Sequence, residues 1–275
     1  MKIGISYTMK RKEELLIRDR IEESGHEAVM IHDKEVRFPS KHDIDVVLVR
    51  NASYFNLLYL SRLFEEEGIP TINPFEINLE AGDKLFSTQN LEGKVSLPDW
   101  NVTFDERSAV KAVEELGYPT VLKPVFGSWG RMVSKVNDEE AAEALMEHRK
   151  WMKNPLYKIY YNQDFVNKPN RDIRSYVIDG EYIGAIYREN LDHWITNTAR
   201  GAKAINCEDE EVEEISLNTW EAFGKGALAI DLFESDEGLL VNEVNPNMEF
   251  RNAQRVTGID IAQKLVDFAV RKGES

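Results

Sequence analysis

The chain has 275 residues, 42% of them hydrophobic and 30% charged, enough for a substantial core and more than one lobe. Its 34 Lys and Arg against 49 Asp and Glu leave a net charge of −15, which argues against nucleic acid as a partner because phosphate neutralisation needs basic surface. A single cysteine, Cys207, excludes an intramolecular disulfide and a cysteine-built zinc site. No long apolar run and no signal-like stretch is present, so no membrane partner and a reducing, cytoplasmic location are expected.

In chain order, Lys2–Tyr7 reads as a strand, and Glu13–Ile21 has helical spacing that ends at Gly25. Ala28–Ile31 and Asp45–Arg50 are short apolar strands. Tyr54–Glu67 reads as a helix stopped by Gly68, and Pro70–Asn73 as another short strand. Strands alternating with helices predict a parallel sheet, so residues 1–88 are expected to form a Rossmann-like N-terminal lobe. The first turn, Tyr7-Thr8-Met9-Lys10, lacks the glycine-rich dinucleotide fingerprint, which argues against a NAD site. Pro98-Asp99-Trp100 marks a boundary. A helix over Asp105–Leu116, a strand over Pro119–Pro124, a loop at Phe126–Gly130, a strand over Met132–Val136 and a helix over Asp138–Trp151 then predict a central α+β lobe at 89–162. Strands follow at Tyr157–Tyr161, Ile173–Ile178 and Tyr182–Tyr187, the last two joined by the Asp179-Gly180 hairpin signal. In the C-terminal lobe, 163–275, the apolar runs Gly226–Phe233 and Val241–Asn245 flank Ser235-Asp236-Glu237-Gly238 and predict a hairpin; Ile259–Val270 predicts an amphipathic helix.

Glu243 and Asn245, two apart on one strand, point the same way. With Asp231 on the partner strand they offer hard oxygens suited to Mg²⁺ held partly by substrate phosphates. A solvated hairpin with scattered polar residues fits the same pattern. Lys123 ends a strand just before Gly127-Ser128-Trp129-Gly130, where glycines let backbone N–H groups nest an anion and the lysine adds a compact positive charge. Lys84 begins a helix after Gly82-Asp83. Gln163-Asp164-Phe165-Val166 sets a polar pair before an apolar pair, suited to a base edge and its ring. Arg171-Asp172-Ile173-Arg174, Arg188 and Asn197-Thr198-Ala199-Arg200-Gly201 supply arginines for a carboxylate or a transferring phosphoryl group. His193-Trp194 can stack or donate, and Arg251, Asn252 and Arg255 are placed to hold an anionic substrate group. Singly, each is also explained by a solvated loop, helix or strand end. Cys207 lies beside Glu208 and Asp209, acids that raise a thiol pKa and argue against a nucleophile.

The order of these features carries more than any one of them. Running from Lys84 and Lys123 through the glycine loop, Gln163–Val166, Asp172-Ile173-Arg174, Asn197 to Arg200, Asp231 and Glu243-Val244-Asn245, it resembles the ATP-grasp superfamily over essentially the whole chain. Gly127-Ser128-Trp129-Gly130-Arg131, His193-Trp194-Ile195-Thr196-Asn197-Thr198-Ala199-Arg200-Gly201 and Asn245-Pro246-Asn247-Met248-Glu249-Phe250-Arg251-Asn252 are similar to the LysX/ArgX ligases of the RimK/LysX branch. The resemblance implies an ATP-grasp fold of mixed α/β and α+β class, three lobes, with a central lid over ATP. It implies phosphate contacts from Lys84, Lys123 and the loop Gly127, Ser128, Trp129, Gly130 and Arg131. Adenine contacts would come from the backbone around Gln163, Asp164, Phe165 and Val166, and further nucleotide contacts from Asp172, Arg174, Arg188 and Asn197. Asp231, Glu243 and Asn245 would hold Mg²⁺. Arg200 would face the reacting group, with His193, Asn247, Arg251, Asn252 and Arg255 toward the substrate. Asp164 stands where the family usually has Glu, which shortens any side-chain contact to the nucleotide. The implied activity joins the α-amine of α-aminoadipate or glutamate, through an acylphosphate, to the side-chain carboxylate of the C-terminal glutamate of a small acidic, LysW-like carrier protein, in lysine or arginine biosynthesis. A homo-oligomer is expected. The alternatives are a RimK-like glutamate ligase for a ribosomal protein or coenzyme tail, and a degenerate ATP-binding module. A local basic patch near Arg200, Arg251 and Arg255 is expected to offset the acidic chain.

Overall fold

The computed structural model describes residues 1–127, 130–191, 194, 196 and 202–274. Its first sheet is parallel, in the order β2-β1-β3-β4, built from β1 (Lys2–Tyr7), β2 (Glu27–His32), β3 (Val46–Val49) and β4 (Thr71–Ile72). The helices α1 (Lys12–Glu23) and α2 (Tyr54–Glu66) cross between its strands. Ser53 caps α2 by accepting from the Asn56 N–H. Two short helices follow, α3 (Phe75–Gly82) and α4 (Lys84–Leu91), the first unforeseen in the sequence. Between them Asp83 accepts from the N–H groups of Leu85 and Phe86, which fixes where α4 starts and hence where Lys84 stands.

The second sheet is antiparallel, in the order β5-β8-β6-β7, from β5 (Trp100–Thr103), β6 (Thr120–Lys123), β7 (Ser134–Val136) and β8 (Tyr160–Asp164), with α5 (Glu106–Leu116) and α6 (Glu139–Trp151) against it. The strand expected at Tyr157–Tyr161 starts three residues late, because Pro155–Lys158 winds as a 3₁₀ turn opened by a proline that cannot donate to a ladder. As a result β8 runs through Asp164, pairing Gln163 with Trp100 and Asp164 with Thr120.

The third sheet is antiparallel, β11-β10-β9-β12-β13, from β9 (Arg171–Ile178), β10 (Glu181–Glu189), β11 (Lys203–Cys207), β12 (Ala227–Ser235) and β13 (Gly238–Asn245). Asp179 and Gly180 join β9 to β10 with φ of 53° and 83°, the two positive values a tight right-twisted hairpin needs. The helix α7 (Glu210–Phe223), also unforeseen, hides its apolar face among acids and buries Val212, Ser216, Thr219 and Phe223. The short helix α8 (Arg251–Thr257) leads to α9 (Ile261–Gly273).

One apolar cluster joins the first and third sheets. Ile3, Ile5, Val46 and Leu48 pack with Tyr176, Ile178, Ala229 and Phe250, and with Leu265, Val266 and Phe268 of α9. The helix α9 lies against α1 and β3. The second sheet keeps its own, smaller core of Ala109, Val113, Leu122, Val136, Ala142, Met146 and Tyr160. Among the described residues no helix is long and apolar enough to cross a membrane.

Candidate active site

Two adjoining cavities lie where the three sheets meet, and Asp231 of β12 with Asn242 and Glu243 of β13 wall both. The narrower one, about 80 Å³, is lined by Lys123, Gln163, Asp164, Phe165, Val166, Lys168, Phe233, Trp194 and Thr196. Phe165, Val166, Trp194 and Phe233 give it an apolar side opposite its lysines and acids. Phe165 meets Trp194 edge-on with ring centroids 5.9 Å apart, and the Lys135 ammonium sits 3.5 Å from the Phe165 ring centre. Gln163–Val166, placed here by the end of β8, line this cavity. The wider cavity, about 400 Å³, runs from Lys84 and Phe126 past Glu243 and Asn245 to Arg11 and Asn51 of the N-terminal lobe.

Lysines and acids converge at the junction. Lys123 is buried; its Nζ donates to Gln163 Oε1 and, at 2.7 Å, to Asn242 Oδ1. Burial pushes its pKa down to about 8, against the pull of the nearby Glu243 carboxylate. Lys84 Nζ reaches Glu243 Oε1 at 3.2 Å and donates to the Gly127 carbonyl at 3.0 Å. Its backbone N–H donates to the Val125 carbonyl at 2.6 Å, tying α4 to the start of the glycine loop. Asn242 had no signal in the sequence. It is the extra residue of a β-bulge: Asp231 pairs with Glu243 and Leu232 with Val241, so Asn242 and Glu243 both turn toward the cavities.

Behind this junction runs a buried ionic network. Arg174 Nε and Nη2 grip both Asp231 oxygens at 2.6 and 2.7 Å, and Arg188 reaches Asp231 at 3.0 Å and Asp172 at 2.5 Å. Thr196 and Lys168 complete it: the Thr196 hydroxyl donates to Asp172 and accepts from Lys168 at 3.0 Å. Burial alone would raise the Asp231 carboxyl, but the Arg174 and Arg188 charges outweigh it and hold it below the usual carboxylate range. Asp172, Arg174 and Arg188, expected as nucleotide contacts, thus spend much of their bonding capacity on one another and on Asp231. They set the charge and stiffness of the floor.

The expected metal ligands Asp231, Glu243 and Asn245 do share one wall. A carboxylate offers about four lone-pair sites, so Asp231 keeps acceptor capacity beyond its arginines. The Asn245 Nδ2 is buried without a partner, a donor that the protein alone does not satisfy. Hard oxygens beside two lysines fit a magnesium–triphosphate group, although no cluster of three or more acids, His or Cys exists among the described residues.

Not every expected residue reaches the cavities. Arg251 and Arg255 are exposed on α8, four apart on its outer face, because α8 turns Ala253 inward and packs on β10 and β11. Neither they nor Asn252 lines either cavity. Gly130 and Arg131 line the narrower cavity. Ser128, Trp129, His193, Asn197 and Arg200 lie outside the described residues. Arg11, Asn51, Tyr54 and Phe55, contributed by the N-terminal lobe, were not foreseen; nothing in their local sequence marks them. Cys207 is buried, which pushes its thiol pKa up as expected of a structural residue.

A parallel-sheet lobe, an antiparallel lid and an antiparallel base that clasp a phosphate-suited junction define an ATP-grasp enzyme. Comparison narrows this. The RimK-like ATP-grasp domain matches residues 81–269 and the LysX preATP-grasp domain residues 3–78. The chain belongs to the RimK-like ATP-grasp family. It is 37% identical over 269 residues, 95% of its length and 98% of the relative's, to an alpha-aminoadipate–LysW ligase LysX of Saccharolobus solfataricus. It is 32% identical to a glutamate–LysW ligase ArgX of Sulfurisphaera tokodaii over 98% of both chains. A solved RimK-domain ATP-grasp protein from Sphaerobacter thermophilus shares the fold with a TM-score of 0.81 at 24% identity, covering 98% of this chain and 100% of that one.

Proposed function

We propose that the protein is an ATP-dependent ligase that activates the side-chain carboxylate of the C-terminal glutamate of a LysW-like carrier protein and joins it to the amine of α-aminoadipate, with glutamate as a second substrate. The observation that carries the reading is the junction of Lys84, Lys123 and Glu243 between the narrow cavity beside Phe165 and a chamber of about 400 Å³. A carboxylate resists attack by an amine because its leaving group would be oxide. ATP with Mg²⁺, the latter held by Glu243, Asn245 and Asp231, would supply the phosphoryl group and neutralise its charge. Lys84 and Lys123 would hold phosphate oxygens from both sides of the junction. The apolar slot around Phe165 and Trp194 would orient the base. The chamber, walled by all three lobes, would keep water from the acyl phosphate.

Intact-mass analysis of the carrier, incubated with ATP and each amino acid, tests this directly. The expected result is a mass gain of one α-aminoadipate residue, a smaller yield with glutamate, and no product from Glu243→Ala. One methylene is worth only about 1–3 kcal/mol in an apolar pocket, so discrimination beyond roughly a thousandfold would refute the dual-substrate part. No adduct with either amino acid would refute the whole reading.

A further inference from the structure

The wider cavity has a reacting end and a far end. Lys84 and Glu243 stand at the first, beside the phosphate junction, and Arg11 and Asn51 of the N-terminal lobe at the second. Five cationic side chains line it among the described residues: Arg11, Lys84, Arg131, Arg174 and Arg188. Lys84 is bound to Glu243 and the Gly127 carbonyl, and Arg174 and Arg188 to the floor carboxylates. Arg131 belongs to the glycine loop and has an interaction of its own. Arg11 is the one that the N-terminal lobe contributes.

Its neighbours hold Arg11 in place. Nε and Nη2 donate to the two Glu14 oxygens at 3.2 and 2.7 Å, a two-pronged fork, and Nη2 also donates to the Arg50 carbonyl at 3.2 Å. Glu14 is fully buried, and behind it the buried Arg50 guanidinium stands with Nε 3.4 Å from the same carboxylate. A carboxylate caught between two guanidiniums has little freedom to swing, so the Arg11 plane is set as well. Arg11 Nη1 carries two N–H groups. Among the described residues its contact is the Glu249 carboxylate at 3.4 Å, longer than a charge-assisted hydrogen bond usually is.

We infer that Arg11 receives the side-chain carboxylate of the amino-acid substrate and so reads its length. The inference rests on the ligase reading above. The attacking amine has to reach the carbonyl carbon activated at the phosphate junction, so the opposite end of the substrate points to the Arg11 end of the cavity. Two carboxylate-bearing neighbours, Glu13 and Glu249, act on the same guanidinium, so the incoming carboxylate displaces the long Glu249 contact. Glu249 has a further interaction of its own and is not stranded by that exchange. A guanidinium fixed in depth favours one chain length: glutamate, one methylene shorter than α-aminoadipate, reaches it less well.

Substrates that differ only at that end test the assignment. 2-Aminohexanoate is α-aminoadipate with a methyl group in place of the side-chain carboxylate. Carrier adduct formed with each, read by intact mass over a range of concentrations, gives kcat/KM for both. Wild type is expected to prefer α-aminoadipate strongly. Arg11→Met should lower kcat/KM for α-aminoadipate roughly 10- to 100-fold, the scale of losing a charged hydrogen-bond partner, and leave 2-aminohexanoate at its wild-type value. General damage to the lobe would lower both alike. That result, an unchanged α-aminoadipate value, or no preference in wild type would overturn the assignment. Arg11→Lys keeps a charge for Glu14 but loses the fork, so it should recover part of the preference. Should Arg11→Met fail to fold, Arg11→Lys carries the same comparison, with a smaller loss expected for α-aminoadipate alone. No adduct from wild type with any amino acid would instead bring down the ligase reading itself, and this site with it.

Discussion

The N-terminal lobe and the central lobe both lean on the C-terminal sheet, but through different forces. Between the first and third sheets lies a continuous apolar core, with Ile3, Leu48, Phe250 and Leu265 all at most 2% exposed. The central lobe has a core of its own and reaches its neighbours by polar threads: Lys123 to Asn242, the Lys84 N–H to Val125, the Thr88 and Tyr161 hydroxyls at 2.8 Å. One aromatic contact helps, Tyr54 stacked on Phe126 at 5.4 Å with Phe55 edge-on at 5.3 Å. Buried apolar area resists separation, whereas hydrogen bonds exchange with water at small net cost. The outer lobes therefore share one core, and the central lobe is the part expected to move when nucleotide enters and product leaves.

Breaking the shared core should cost most. Phe250→Ala removes a fully buried ring from the shared core and is expected to destabilise the whole protein by about 3–5 kcal/mol, read as a lower urea midpoint. If Phe250→Ala instead left the midpoint unchanged, the shared core would not be what unites the lobes. In the polar half, Lys123→Ala should weaken ATP binding by roughly 1–3 kcal/mol in calorimetry, with the melting temperature little changed.

The pH dependence sharpens the same point. With its pKa near 8, Lys123 in the free protein loses its charge as pH rises through that value, well below the usual lysine range. Phosphate binding favours the charged form, so ATP affinity should fall above pH 8, and binding there should take up a proton. Calorimetry in buffers of different ionisation heat reads that uptake; none would show that Lys123 does not meet phosphate. The smallest effect is expected from Phe126→Ala, about 0.5–1.5 kcal/mol for an aromatic pair, seen as faster hydrogen exchange in α5 and β6 but not in β9 or β12.

What the sequence revealed and what it hid divide along physical lines. The parallel lobe, the β12–β13 hairpin and the Asp179-Gly180 turn were legible because period-2 patterns and turn residues are local signals. Glu243 and Asn245 were placed on one wall for the same reason. Asn242 was invisible, because a bulge shifts phase without changing composition. Arg174 and Asp172 were found, yet the pairing of Arg174 with Asp231 and of Asp172 with Arg188 depends on cross-strand register that the sequence does not print. Arg251 and Arg255 looked close to the site along the chain, but α8 turns them outward. Arg11, Asn51 and Tyr54 come from another lobe, and only the tertiary fold brings them in.

The helix α9 has a bearing on heredity. Residues 3–78 match one family model by themselves, which marks that stretch as a natural cassette for recombination between relatives. Yet Leu265, Val266 and Phe268, from the opposite end of the sequence, seal its sheet, and α9 lies along α1. A gene crossover near residue 80 would mate a foreign sheet with a resident helix whose side chains were shaped for another surface. Viable hybrids should then inherit α9 together with the first lobe, and libraries that join the two segments from one parent should yield more folded members than those that split them.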